Sequence, residues 1–308
     1  MSIGLHAHVP RARPEDWLLL AILVVLWGSA FALTEIALQG FSPLQLVTGR
    51  LWIGAVFLLG LLALSRQRLP RDGGTWVYCL TMSVLGNVLP FFLISWGQQT
   101  IPSGLTGILM AIMPLVVLVL AHFLVPGERL NPPKVIGFLM GFTGIVLLTG
   151  PSALEGFGGN AAEIVAQLSV LAGAVCYGLN LIVARRGPRL PPQLTAGCVL
   201  LGSAAFSSAA TLAVDDPLPS GFEAVPTAAL LCLGLLSTGA ATVIYYRVVA
   251  RAGATFLSLI NYLIPVYAVL AGAVFLGERL AGRSLLALAV ILLGIVVSRR
   301  RQAREVVP

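Results

Sequence analysis

Two prolines, three asparagines, one arginine and a scatter of aromatic residues carry most of the polar chemistry available to the long apolar runs of this chain. Asn87, Asn180 and Asn261 each lie inside such a run. A side-chain amide in hydrocarbon must find hydrogen-bond partners. Bonds between helices would supply them, and so would a pocket with a few orienting polar groups. The residues expected at similar depths are Trp27, Phe91, Ser95, Tyr177, Tyr245 and Tyr262, a mixture suited to a small amphipathic ligand. Pro114 and Pro265 each fall mid-run. A proline there cannot donate to the carbonyl four residues earlier, which frees the carbonyls of Met110 and Asn261. The prolines read either as paired hinges beside a cavity or as static kinks. Arg50 is the one basic residue well inside a run, and Glu35 stands near the outer end of the preceding one. They could form an ion pair, or serve as an outer gate or substrate contact.

Composition identifies the elements that must position these groups. Of 308 residues, 58% are hydrophobic and 10% charged, and mean hydropathy is +0.96. Soluble domains carry roughly 25% charged residues, so lipid is the main solvent here. A helix needs about 20 apolar residues to cross the hydrocarbon, and charge-free stretches of that length predict ten spans. They are expected at 17–37, 43–64, 75–97, 102–125, 133–150, 163–184, 192–213, 225–246, 255–277 and 281–298. If both termini are cytoplasmic, sixteen basic residues fall on that side and two on the other, a strong positive-inside asymmetry. The net charge of +7 is thereby a topology signal, and no nucleic-acid partner is expected. Arg11 and Arg13 before the first run, with Ala30-Phe31-Ala32 after it, also resemble a cleavable leader; the repeat requires this segment as a span. Cys79, Cys176, Cys198 and Cys232 form no Cys-x-x-Cys pair, so neither a disulfide framework nor a metal site is expected.

The chain repeats itself at an offset of about 150. Gly127-Glu128-Arg129-Leu130 recurs as Gly277-Glu278-Arg279-Leu280, and each follows a span with a central proline. Trp27-Gly28 matches Tyr177-Gly178, and Gly144 matches Gly294. Five spans per repeat is an odd number, so the second repeat must thread the membrane upside down, a common transporter arrangement. The expected fold is all-α and integral to the membrane, with two inverted five-helix repeats at 1–150 and 151–308. Gly137-x-x-x-Gly141 gives the fifth span a small-residue face for close helix contact, within a monomer or in a weakly associated homodimer.

Leu26-Trp27-Gly28-Ser29, Pro43 with Arg50, and the paired Pro…Gly-Glu-Arg-Leu span ends resemble the EamA-type ten-helix transporters of the drug/metabolite transporter superfamily, over essentially the whole chain. The resemblance implies a bacterial inner-membrane carrier with both termini cytoplasmic, a central cavity and alternating access. Members export amino acids and other small metabolites. Spans 1 and 6 lack a central carboxylate, unlike the smaller multidrug relatives, so facilitated diffusion or exchange fits at least as well as proton antiport. One arginine is a poor supply for phosphorylated substrates, which favours neutral or zwitterionic metabolites. No Gly-x-x-x-x-Gly-Lys-Ser/Thr loop occurs, and no cofactor or ATP-binding subunit is implied. A multidrug efflux carrier and a non-transporting scaffold remain alternatives. An enzyme would need clustered His, Asp or Glu at one depth, which the spans do not offer.

Overall fold

A computed structural model describes residues 13–110, 112–124, 132–149, 159–188, 190–214, 221–252, 254–257 and 259–260, with isolated positions beyond. Among these residues the only regular secondary structure is helical. In order, α1 is Pro14–Gly28, α2 Ala30–Ala37, α3 Pro43–Leu64, α4 Gly73–Ser83, α5 Leu89–Gln98, α6 Ser103–Met110 and α7 Met113–Leu124. They are followed by α8 Pro132–Thr149, α9 Ala161–Arg186, α10 Pro192–Val214, α11 Ala224–Cys232, α12 Ala241–Ala252 and α13 Ala254–Leu257. Two π-helical turns, Val84–Val88 and Leu233–Ala240, join α4 to α5 and α11 to α12. Among the described residues, six helices are long and apolar enough to cross a membrane: Pro14–Ala37, Pro43–Leu64, Gly73–Gln98, Ala161–Ala184, Pro192–Val214 and Ala224–Val249. These match six of the expected spans. The span expected at 102–125 is divided between α6 and α7, and that at 133–150 forms α8. Those at 255–277 and 281–298 lie largely outside the described residues.

The spans start where local chemistry tells them to. Ser42 and Gln45 make a reciprocal cap ahead of α3, with Gln45 N–H donating to Ser42 Oγ at 3.2 Å and Ser42 N–H to Gln45 Oε1 at 3.0 Å. Pro43 then occupies the first helical position, where its missing N–H costs nothing. Asp72 accepts from Gly74 and Thr75 ahead of α4, at 3.3 and 2.7 Å. Asn160 does the same for Ala162 and Glu163 ahead of α9, at 2.9 and 3.1 Å. Beyond the caps, large apolar side chains such as Leu18, Val56, Val77, Phe123 and Leu168 stand exposed on helix surfaces. An apolar surface this extensive is sustained by lipid, not water.

Helices pair in antiparallel register. Along α3 and α10, Thr48 and Thr211 hydroxyls meet at 2.8 Å, and Trp52 Nε1 donates to Ser208 Oγ at 2.8 Å. Their contact is filled by Leu46, Val47, Leu51 and Leu58 against Ala196, Leu200 and Ala204. Between the third and sixth spans, Tyr78 lies against Gly187, Asn180 against Gly86 and Val170 against Gly97, so the two run in opposite directions. The first and eighth spans do the same. Arg251, at the end of α12, pairs with Glu15 and Asp16 at the start of α1, its Nε 3.0 Å from Asp16 Oδ1, while Trp27 meets Ser237 near mid-span. At the other end of the first span, Glu35 accepts from the N–H of Ser103 at 3.0 Å, where α6 begins. The small-residue face of α8 is used inside the monomer: a Cβ on Gly294 would lie 2.6 Å from the Gly137 carbonyl oxygen and 2.9 Å from Gly141 N.

Candidate functional site

The two π-helical turns are the structural core of the site. Gly73–Gln98 and Ala224–Val249 are both 26 residues long and lie 151 positions apart. Val84–Val88 shifted by the same offset falls inside Leu233–Ala240. Each turn has a local cause. In the first, Pro90 cannot donate to the Gly86 carbonyl, and the Leu89 N–H reaches five residues back to Val84. In the second, the Thr238 hydroxyl donates to the Leu233 carbonyl, also five residues back, at 2.8 Å. Such turns recur at functional sites because they expose backbone groups and re-aim side chains.

Side chains from the opposite half of the chain converge on each turn. Trp27 Nε1 donates to the Ser237 carbonyl at 3.1 Å, and Ser237 Oγ donates back to the Leu26 carbonyl at 2.9 Å. The Trp27 ring lies 5.8 Å from that of Tyr245, which makes an edge contact with Tyr246 at 5.2 Å. Arg50, only 8% exposed, donates from Nε to Thr238 Oγ1 at 2.7 Å and sets its guanidinium 3.9 Å above the Phe91 ring. Tyr177 is within electrostatic reach of that guanidinium. On the first turn, Asn87 Nδ2 donates to Ser203 Oγ at 3.1 Å. Asn180 lies flat against Gly86, where an added Cβ would sit 2.8 Å from its Oδ1. That Oδ1 is buried and has no partner among the described residues. Ser95 is buried in α5.

The sequence profile of the EamA-like transporter family matches residues 16–150 and again 164–300. The chain belongs to this family. Its two-repeat fold and its multi-pass membrane character follow from that membership and from the apolar helices. An uncharacterized transporter, YvbV, from Bacillus subtilis (strain 168) is 27% identical over 96% of this chain and 95% of its own. A probable terminal-alkyne amino-acid exporter from Streptantibioticus cattleyicolor is 28% identical over 92% of each chain. The aromatic amino acid exporter YddG of Ancylobacter novellus is 31% identical over 55% of this chain and 57% of its own. A solved crystal structure is 25% identical and aligns with 96% of this chain and 100% of its own at a TM-score of 0.73.

Apart from Ser95, buried in α5, and Glu35, which meets the start of α6, the expected site residues fall into three groups. Trp27, Arg50, Asn87, Phe91, Tyr177, Asn180 and Tyr245 border the π turns or the contacts upon them. Met110 and Pro114 stand apart at a helix break. The last residue of α6 is Met110, which packs with Ile101, Leu105 and Leu109, while Pro114 is in the first turn of α7. Asn261, Tyr262 and Pro265 lie outside the described residues. The expected contact between Arg50 and Glu35 is not made, because Glu35 caps Ser103 while Arg50 turns to Thr238. Ser203, Ser237, Thr238 and the π geometry were not anticipated. Their signal was the pairing of small residues with a hydroxyl or amide at equivalent places, Gly86-Asn87 and Ser237-Thr238-Gly239.

Proposed function

We propose that this chain is a secondary carrier that exports small metabolites such as amino acids across the bacterial inner membrane, by alternating access between two inverted five-helix repeats spanning 1–150 and 151–308. The observation that carries this reading is the repeated polar seam. Trp27 and Arg50 from the first half dock on the π turn of the second, and Asn180 and Ser203 from the second half dock on the π turn of the first. A scaffold has no need to bury polar groups in equivalent places at mid-membrane, where each is costly. A carrier does, because its substrate must find partners there.

The antiparallel contacts support inversion and the cytoplasmic placement of both termini. The start of the first span meets the end of the eighth, and the start of the third meets the end of the sixth. Ten alternating spans put both pairs on the basic side. The exporters named among the relatives support the substrate class. Motion would flex the seam at the π turns, where the hydrogen-bond ladder is already broken, and Pro114 and Pro265 would serve as further hinges. Facilitated diffusion or exchange is the coupling we favour, since Glu35 is exposed and engaged at a helix start. The test is counterflow in proteoliposomes with a panel of labelled amino acids and hydrophobic cations. Accumulation of amino acids supports the proposal. Accumulation of cations alone indicates a multidrug carrier, and none of either returns the chain to the scaffold reading.

A further inference from the structure

Arg50 is the eighth residue of α3, about two helical turns from the start of the span. A buried cation is normally matched by a carboxylate, yet none faces Arg50 among the described residues. Glu15 and Asp16 are held by Arg251. Glu35 caps Ser103, Asp72 caps α4, and Glu163 is held by Asn160. Glu223 is exposed ahead of α11. Thr238 and Phe91 offer Arg50 a neutral acceptor and a ring face, neither of which cancels its charge.

The guanidinium has five N–H donors, and among the described residues only the one on Nε has an acceptor. The terminal nitrogens are not among the sealed, unpartnered atoms, which include Asn180 Oδ1 and Gln98 Oε1. The repeat adds a second clue. The seam is duplicated, but the cation is not: residues 199–201, which stand where Arg50 would recur, are Val199, Leu200 and Leu201. A charge needed only to join helices would have been as useful in both halves. A charge needed to orient one end of an asymmetric ligand is needed once.

We infer that the terminal nitrogens of Arg50 form a carboxylate subsite, so that the transported molecule carries a carboxylate which docks as a bidentate partner and supplies the missing counter-charge. This inference rests on the carrier reading and narrows its substrate to carboxylate-bearing metabolites. The fork of the guanidinium matches the two carboxylate oxygens, and the Phe91 ring packs 3.9 Å from its central carbon.

The experiment compares labelled L-phenylalanine with labelled L-phenylalaninamide, which differ only in the carboxylate. Proteoliposome counterflow should favour the acid at least about tenfold, the usual worth of charge-assisted hydrogen bonds. Arg50→Gln should bring that ratio to about one while amide transport persists, and Arg50→Lys should give an intermediate ratio. An unchanged ratio in Arg50→Gln overturns the subsite. As a test independent of that variant's insertion, phenylglyoxal modification of Arg50 is measured in the wild-type protein by peptide mass spectrometry. Saturating L-phenylalanine should slow it at least about fivefold, and the amide should not. Equal rates, or no modification at all, overturn the subsite. Transport of both compounds without discrimination leaves the carrier standing and removes the subsite. Acid-selective protection without transport leaves the subsite and removes the carrier.

Discussion

Gly86 is the position at which the first π turn is most open to test. An added Cβ would lie 2.8 Å from Asn180 Oδ1 and 2.9 Å from both Cγ and Nδ2. Carbon contacts are most favourable near 3.5–4.0 Å, so all three atoms are overlapped by more than half an ångström on that scale. The amide cannot slide away freely, because its Oδ1 is already sealed. Overfilling a tight contact costs about 1–3 kcal/mol. Against that, replacing glycine by alanine within a helix gains up to about 1 kcal/mol. Gly86→Ala should therefore destabilise by about 0–2 kcal/mol in the wild-type background. In an Asn180→Ala background the clash disappears, and the same change should become stabilising by up to about 1 kcal/mol. The coupling between the two sites is about 1–3 kcal/mol, readable from reversible unfolding in mixed detergent micelles followed by circular dichroism. If Gly86→Ala has the same effect in both backgrounds, Asn180 does not lie on this turn and the seam as described is wrong.

Other consequences can be checked with the same unfolding assay. Thr238→Val removes the acceptor for a buried cation and should cost about 1.5–3 kcal/mol, whereas Thr238→Ser, which keeps the hydroxyl, should cost under half as much. Trp27→Phe deletes the bond to the Ser237 carbonyl and should cost about 0.5–1.5 kcal/mol, with loss of the cross-seam contact read as faster cysteine labelling at Cys232. Asp72 is held below the usual carboxylate range by the Thr75 hydroxyl and by the backbone N–H groups of Thr75 and Gly74. A carboxylate depressed in the folded state adds stability above its unfolded pKa of about 3.9 and loses it as pH falls through the folded value. Asp72→Asn should therefore flatten the acid limb of the stability curve by lowering stability at neutral pH, while the stability at pH values below the folded pKa changes little.

What the sequence made legible was the part of the fold governed by solvent and local chemistry. Six of the apolar runs appear as spanning helices within a few residues of their expected ends, since caps such as Ser42 with Gln45 and Asp72 ahead of Thr75 are read from neighbours alone. The polar residues inside those runs were also legible as a set, because hydrocarbon makes any amide or guanidinium conspicuous. Their partners were not. Of the readings open to Arg50, an ion pair with the acid nearest in topology, Glu35, is not made, because that carboxylate has a helix start to cap. Thr238, 188 residues away, becomes visible only once the eighth span is laid against α3. The π turns were hidden for a related reason. Gly86 and Ser237 look like ordinary small residues until the helix each one meets is known.

The seam separates what duplication explains from what it does not. Oppositely threaded copies will reproduce any contact that depends on helix geometry, and the chain does so: span 1 meets the second π turn as span 6 meets the first. Small differences between the copies then become informative, because the scaffold has no reason to need them. Asn87 meets a serine hydroxyl, while its counterpart Thr238 meets a guanidinium. Those two side-chain contacts occupy equivalent places on the π turns at very different electrostatic cost. An unmatched buried cation lowers the stability of the empty protein, and that penalty shrinks when an anion arrives. Binding energy spent in this way changes the balance between states only if the anion meets the guanidinium better in one of them. Arg50 joins α3 to the turn proposed to flex, so its reach toward the site changes whenever that turn does.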